Sequence, residues 1–279
     1  VEIHYQKNAL NIIDSSPGGQ HNNGMDDKFK ASLQKKMMDG KSSASSKYSA
    51  LVTGKKSLWF LLKYELIILS CSWVPGALGY FLRKIFYPRL LRYAGRGVVF
   101  GRNLTLRHPH KISIGSHSVI DDNAVLDAKG ENNQGIRIGR NVYIGRNTII
   151  SCKEGSIELK DFCNISANCS LLSETEITLG QYCFLAGNCY LVAGGNHSFK
   201  RLDIPIMFQP SFSRGGIKID ADVWLGAGVI VLDGCRVGKG SVIGAGAVVT
   251  DSLPSYSIAV GMPAKKIRDR TATKNEPQA

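Results

Sequence analysis

A chain of 279 residues, 43% of them hydrophobic, can bury a large core, which excludes a protein disordered throughout. Its formal charge of +13 favours an anionic partner: a phosphate-bearing molecule, an acidic membrane surface or nucleic acid. Nucleic acid has only net charge in its favour, because no recognisable module or aromatic-basic platform accompanies it, so no nucleic-acid partner is expected.

In chain order, residues 1–56 are rich in Gly, Ser, Asn and Lys, with PGG at Pro17–Gly19 and SSASS at Ser42–Ser46, and they read as a disordered arm. The first Met is Met25, so residues 1–24 stand open between native arm and upstream extension. Residues 57–93 are the most apolar stretch and read as helical, divided by Pro75 and Gly76 into two helices, the second basic through Arg83, Lys84, Arg89 and Arg92. A cleavable signal peptide does not fit an internal stretch without a small-residue cleavage site. A spanning helix needs about 20 predominantly apolar residues, and Lys63, Glu65 and the Pro-Gly break interrupt the run. Two readings remain: an anchor lying in the membrane interface against anionic head groups, or a helical lid packed on the domain that follows. The anchor reading places a cytoplasmic protein on the inner face of the cell membrane.

Residues 94–270 read in sixes, most regularly over Ile219–Thr250: IDADVW, LGAGVI, VLDGCR, VGKGSV, IGAGAV. An aliphatic residue opens each hexad and a turn former, Asp222, Gly228, Gly234, Gly240 or Gly246, stands three further on. Gly, Asn and Asp accept a left-handed backbone at least cost, so a short strand and a tight corner recur every six residues, the mark of a parallel β-helix. Extra residues enter after Leu106, Leu126, Ile150, Leu171 and Leu191, always after the third strand of a set, which predicts a coil with three flat faces. Roughly seven coils at about 4.8 Å each would stand about 34 Å tall. Five of the seven cysteines (Cys163, Cys169, Cys183, Cys189, Cys235) fall at the fifth hexad position, where small inward residues belong. They read as reduced core residues, which suits the cytoplasm and argues against disulfides or a zinc site. Gly244 and Gly246 sit inside a continuing hexad and open no helix, so they do not form a dinucleotide loop. Residues 271–279 read as a disordered tail.

The longest insertion, residues 192–216, holds His197 in the run GGNHS, and a loop this long within so regular a repeat is expected to be functional. The other histidines read as surface or turn residues: His4 and His21 in the arm, His108 and His110 flanking Pro109, and His117 at a corner. GGNHS followed by IKIDADVWLGAGVIVLDGCRVGKGSVIGAGAVVTDSLPSYSIAVGMPAKKIR resembles the hexapeptide-repeat acyltransferases of the galactoside, maltose and xenobiotic acetyltransferase group, in the style of bacterial polysaccharide O-acetyltransferases. The resemblance covers residues 98–268 and implies an all-β fold, a left-handed parallel β-helix, assembled as a homotrimer with sites between subunits. Left-handedness rests on the resemblance alone, because parallel crossovers are right-handed in about 98% of cases.

By the same resemblance His197 is the general base. Acetyl-CoA is the acyl donor, its arm lined by Ala227, Ala245 and Thr250 and its phosphates met by Lys265 and Arg268. Asp251 stands where some relatives carry Lys, which weakens any phosphate contact there. Glu174 and Trp224 are the acceptor-side candidates. For Ala227 and Ala245 a small corner residue is an equally natural reading, and for Trp224 ordinary packing is. A histidine suits the chemistry because an imidazole with a pKa near 6.5 takes the proton of a sugar hydroxyl as its oxygen attacks the thioester carbonyl. The leading function is O-acetylation of a saccharide or polysaccharide intermediate. Alternatives are acetylation of an antibiotic or amine, and a catalytically silent scaffold. A β-helical carbonic anhydrase would need several converging histidines, so no metal is expected.

Overall fold

The computed structural model describes residues 43–270, which lie in one compact unit. The expectations for residues 1–42 and 271–279, His4 and His21 among them, fall outside the described residues. Order begins earlier than the arm reading to residue 56 placed it: helix α1 spans Ala44–Val52, capped by Ser43, whose side chain accepts from the Ser46 amide. Val52 and Thr53 are buried, and the Val52 carbonyl accepts from the His108 amide at 2.8 Å, so the first coil of the β-helix fixes this helix. Helices α2 (Leu58–Cys71) and α3 (Gly76–Phe86) follow, broken at Pro75 and at Gly76, whose φ of +65° only glycine adopts cheaply. The inward side of α2 buries Tyr64, Ile67 and Cys71. Arg83 of α3 is buried and satisfied by carbonyls: Nε donates to Phe100 O at 3.0 Å, and Nη1 to Cys71 O at 3.0 Å and Val74 O at 2.8 Å. One guanidinium therefore ties α3, the end of α2 and the first coil together, as its five fixed donors allow.

The repeats form three parallel sheets. Face A starts at Tyr93–Ala94, face B at Val99–Phe100 and face C at Thr105–Arg107, and each coil contributes one strand to each face. Seven full coils are present among the described residues, with a partial eighth formed by Ser257–Val260 on face B and a bridge from Val237 to Leu253 on face A. The last strand, Lys265–Asp269, turns back antiparallel on Ser257–Val260 and covers the end of face B. The first-position aliphatics pair in register up the faces, as in Ile138, Leu159, Leu179 and Ile219 on face A and Ile150, Leu171, Leu191 and Val231 on face C. They are almost wholly buried, each contributing about 1.5–3 kcal/mol of apolar transfer.

The fourth position of the hexad carries the positive φ, +59° at Asp222 and +55° to +62° at Asn103, Asn123, Asn141, Asn147, Asn168 and Asn188. Besides His117 (φ +61°) and Tyr256 (φ +58°), two corners break the chemistry of the rest: Phe162 (φ +64°) and Tyr182 (φ +60°) hold a left-handed backbone that costs an ordinary side chain about 1–2 kcal/mol. Their rings stack in successive coils, centroids 5.1 Å apart at 11°, a contact worth about 0.5–1.5 kcal/mol that offsets much of this. All seven cysteines are buried free thiols. Cys163, Cys183 and Cys189 donate to carbonyls of the next coil at Gly180, Asp220 and Gly226.

His117 does occupy a corner, with φ +61°. His108 and His110 do sit in a turn, but a covered one: His108 is buried with Nε2 2.8 Å from Ala50 O, and half-buried His110 lies between the His108 ring and Phe60 of α2. The helical segment closes over this turn, which a reading confined to the turn's own residues does not register.

Candidate active site

The 192–216 insertion leaves face C after Tyr190–Ala193 and rejoins face A at Ile217–Ile219, so it stands on the edge between these faces. Its base is a two-residue antiparallel ladder in which Asn196 faces Phe212 and His197 faces Ser211. His197 is exposed, and its Nδ1 lies 3.4 Å from the backbone carbonyl oxygen of Gln209. A carbonyl only accepts, so that contact, a long one, places the proton on Nδ1 and leaves the Nε2 lone pair available. Gln209 is itself held: its buried carboxamide donates to Arg201 O at 2.7 Å and Ile204 O at 2.9 Å and accepts from the Arg201 amide at 3.2 Å. The tip of the loop, through the side chain of Gln209, and the orientation of His197, through its backbone carbonyl, thus share one residue.

Below the ladder sits a carboxylate the sequence reading did not single out. Asp233, 4% exposed, accepts from Asn196 Nδ2 at 2.9 Å, from Ser213 Oγ at 3.0 Å, and from the backbone amides of Arg214 and, at 2.9 Å, Gly216. Both ends of the insertion therefore converge on one corner residue of the next coil. These partners lie 17 to 37 residues from Asp233 in sequence, and the one local signal is an aspartate just before Gly234 in VLDGCR.

Glu174 lies on the same edge one coil earlier, against the start of the loop. Its amide donates to Ala193 O at 2.7 Å, and Lys153 Nζ stands 3.7 Å from its carboxylate. Gly194, at φ +95°, passes so close that a Cβ there would meet the Glu174 Cβ at 2.7 Å, so glycine is required on two counts. Further down this edge, Thr250 Oγ1 donates to Asp251 Oδ2 at 2.9 Å, and Lys265 Nζ is 3.9 Å from the same oxygen. Lys265 is 71% exposed along its side chain and Arg268 is exposed on the same terminal strand, so neither is committed to the core.

The structure brings His197, Glu174 and Thr250 to one edge, with Lys265 beside Thr250. It does not bring Ala227, Ala245 or Trp224 there. Ala227 and Ala245 stack in successive coils on the edge between faces B and C, where the Gly246 amide donates to Ala227 O at 2.8 Å. Trp224 is on face B, its ring 6.3 Å from that of Phe184 and nearly parallel to it. These residues and His197 come from different sides of the coil because hexad register fixes the face of every side chain, and only the insertion escapes that register. A depression lined by Gln134, Arg137, Glu158, Thr175 and Glu176 lies on face A, and His197 is not among its lining residues. Among the described residues no cluster of His, Cys, Asp and Glu is arranged to hold a metal ion.

Residues 216–251 match the family described as bacterial transferase hexapeptide (six repeats), and residues 135–173 match the hexapeptide repeat of succinyl-transferase. The chain is 31% identical over 206 residues to a protein of Mycobacterium tuberculosis named as a probable acetyltransferase, covering 74% of this chain and 64% of that one. It spans about half the length of relatives in Schizosaccharomyces pombe and Staphylococcus aureus that also carry acetyltransferase names. Among solved structures, the polySia specific acetyltransferase NeuO shares 24% identity over 67% of this chain and 84% of its own, at a TM-score of 0.49. AntD, an N-acyltransferase from Bacillus cereus in complex with dTDP and 3-hydroxybutyryl-CoA, shares 24% over 72% and 90%, at 0.47. The repeat matches, the six-residue register and the three-faced coil agree that this chain is built of hexapeptide repeats similar to those of bacterial transferases.

Proposed function

We propose that the chain is an acyl-CoA-dependent acyltransferase, most specifically an O-acetyltransferase that acts on a saccharide. The observation that carries this reading is His197, held on the one long interruption of the coil with Nδ1 toward the Gln209 carbonyl and the ring exposed. In the proposed reaction the acceptor oxygen attacks the thioester carbonyl of acetyl-CoA while its proton passes to His197 Nε2. The C–S bond then breaks and the thiolate of coenzyme A takes that proton. A base in this position contributes about 10² to 10⁴ in rate. Acetyl-CoA is a substrate here, and Lys265 and Arg268 fit its phosphates, with Asp251 as the competitor any phosphate must displace from Lys265.

Two edges of the coil carry the candidate residues, so a complete site draws on two protomers: the His197 edge of one and the Ala227 and Ala245 edge of its neighbour. The exposed aromatics Tyr143, Phe184 and Trp224 in one column of face B, with Phe162 and Tyr182 beside them, suit the contact between copies that such a trimer needs. The acetyltransferase names of the relatives are in keeping with transfer of an acetyl group.

Thiol release from acetyl-CoA, measured over a panel of sugars, amines and antibiotics, identifies the acceptor. With it, His197→Ala should lower kcat by about 10² to 10⁴ with acetyl-CoA affinity and Tm nearly unchanged. Lys265→Ala should weaken acetyl-CoA binding with a smaller effect on kcat at saturation. Near-wild-type turnover by His197→Ala would refute the mechanism.

A further inference from the structure

Helix α2 is apolar on two opposite sides, with Lys63 and Glu65 on its flanks, and a helix of that kind in water needs a partner on both apolar sides. The chain supplies one. Tyr64, Ile67 and Cys71 face inward, whereas Trp59, Leu62, Leu66, Leu69 and Trp73 recur at spacings of three and four on the opposite side and remain exposed, Trp59 at 78%, Leu69 at 73% and Trp73 at 64%. Leu78 and Phe81 of α3 extend the same exposed apolar surface. At about 1.5 Å per residue the α2 stripe runs about 21 Å, too short to cross the roughly 30 Å of a bilayer core. None of the described helices is long and apolar enough to do so.

Charge selects the occupant. Besides the buried Arg83, residues 43–92 contain seven basic residues, Lys47, Lys55, Lys56, Lys63, Lys84, Arg89 and Arg92, against Glu65 alone. Three of these cations lie over aromatic rings of the same segment: Lys55 over Phe60 at 4.6 Å, Lys84 over Tyr80 at 5.9 Å and Arg89 over Phe86 at 5.3 Å. A second copy of this surface would bring like charges together, which disfavours a self-contact made through it. An anionic bilayer instead satisfies both features, burying the apolar stripe at the head-group boundary and meeting the lysines and arginines with lipid phosphates. Trp59 and Trp73 at the two ends of the stripe are the residue type enriched at that depth.

We propose that the outer face of α2 and α3 is a docking surface for an anionic lipid bilayer, with α2 lying in the plane of the interface and the β-helix held against the membrane by the Arg83 tie. The proposal does not depend on the reaction proposed above. The full chain should co-sediment with vesicles of phosphatidylcholine and phosphatidylglycerol, and far less with phosphatidylcholine alone. Leu66→Gln together with Leu69→Gln should lower the partition coefficient about tenfold or more with Tm and circular dichroism unchanged, since both side chains are exposed. Lys55→Gln with Lys56→Gln should weaken binding to the mixed vesicles, and high salt should weaken it only in part. The proposal is overturned if the wild type stays in the supernatant. It is equally overturned if the double leucine variant sediments as well as wild type, which would leave diffuse charge as the cause. A change of mass by light scattering in the leucine variant would show that a second copy, not lipid, covers the face.

Discussion

Asp233→Asn is the sharpest test of how the His197 loop is held. One carboxylate oxygen accepts from the Gly216 amide and the other from the Arg214 amide and Asn196 Nδ2, with Ser213 Oγ within reach of both. A carboxamide has the same shape but one donor end, and either orientation turns its NH₂ on a backbone N–H. The Gly216 bond is buried, and a buried donor left unpaired costs about 1–3 kcal/mol, whereas the more exposed partners recover water at little cost. The loss falls on the insertion, because the first-position aliphatics of the coils are untouched. A local cost of about 2 kcal/mol corresponds to about 30-fold faster amide exchange, and peptides covering residues 194–216 should show it by hydrogen exchange while those of faces A and B keep wild-type protection. Turnover with the identified acceptor should fall through kcat with the KM for acetyl-CoA held, since Lys265 and Arg268 lie beyond the reach of the change. Wild-type exchange over 194–216 in the variant would refute the claim that Asp233 fixes the loop.

Burial, and then the charge of Lys55, pushes the His110 imidazole down to about 4 from its usual 6.5, and burial also lowers His108. The unfolded chain therefore binds more protons than the native one between about pH 6.5 and about pH 4, so stability present above that window is lost as pH falls through it. Tm should drop on acidification from about pH 7 to about pH 5, and His110→Gln should flatten that slope; an unchanged slope would refute the assignment. At the Phe162 corner, Asn gives up the stack on Tyr182 but relieves the left-handed backbone, two terms of about 1 kcal/mol that nearly cancel, whereas Ala gives up the stack and keeps the strain. Phe162→Asn should thus hold Tm closer to wild type than Phe162→Ala, and equal losses in the two variants would overturn this account.

The coil was legible because its information is local. Each hexad states its own inward residue and its own corner, so Ile219 to Thr250 announce the period without reference to anything distant, and the insertions after Leu171 and Leu191 mark one edge. His197 was legible for the opposite reason: it sits where the period fails. What the sequence could not show depends on pairs far apart in the chain. Asp233 looks like any corner residue until the insertion folds back on it, and His108 looks like a turn histidine until Ala50 and α2 close over it.

The helical segment illustrates a subtler limit. Anchor and lid stand as alternatives in the sequence, yet an apolar helix has two sides, and here they do different things: Tyr64, Ile67 and Cys71 are buried toward the first coil while Leu66 and Leu69 stay exposed among the described residues. Periodicity could not separate the two, because a helix apolar on two opposite sides has no polar face to mark which of them is turned outward. The deciding residue is a charged one. Arg83 reaches three carbonyls at once only if α3 lies against Phe100 and the end of α2, and that placement leaves the opposite side of α2 outward. A buried cation so fully paired is costly to break, since removing its partners strands a charge in the interior. The segment is therefore fixed to the β-helix through its inner side, and whatever covers its outer side orients the β-helix, and with it the His197 edge, relative to that partner.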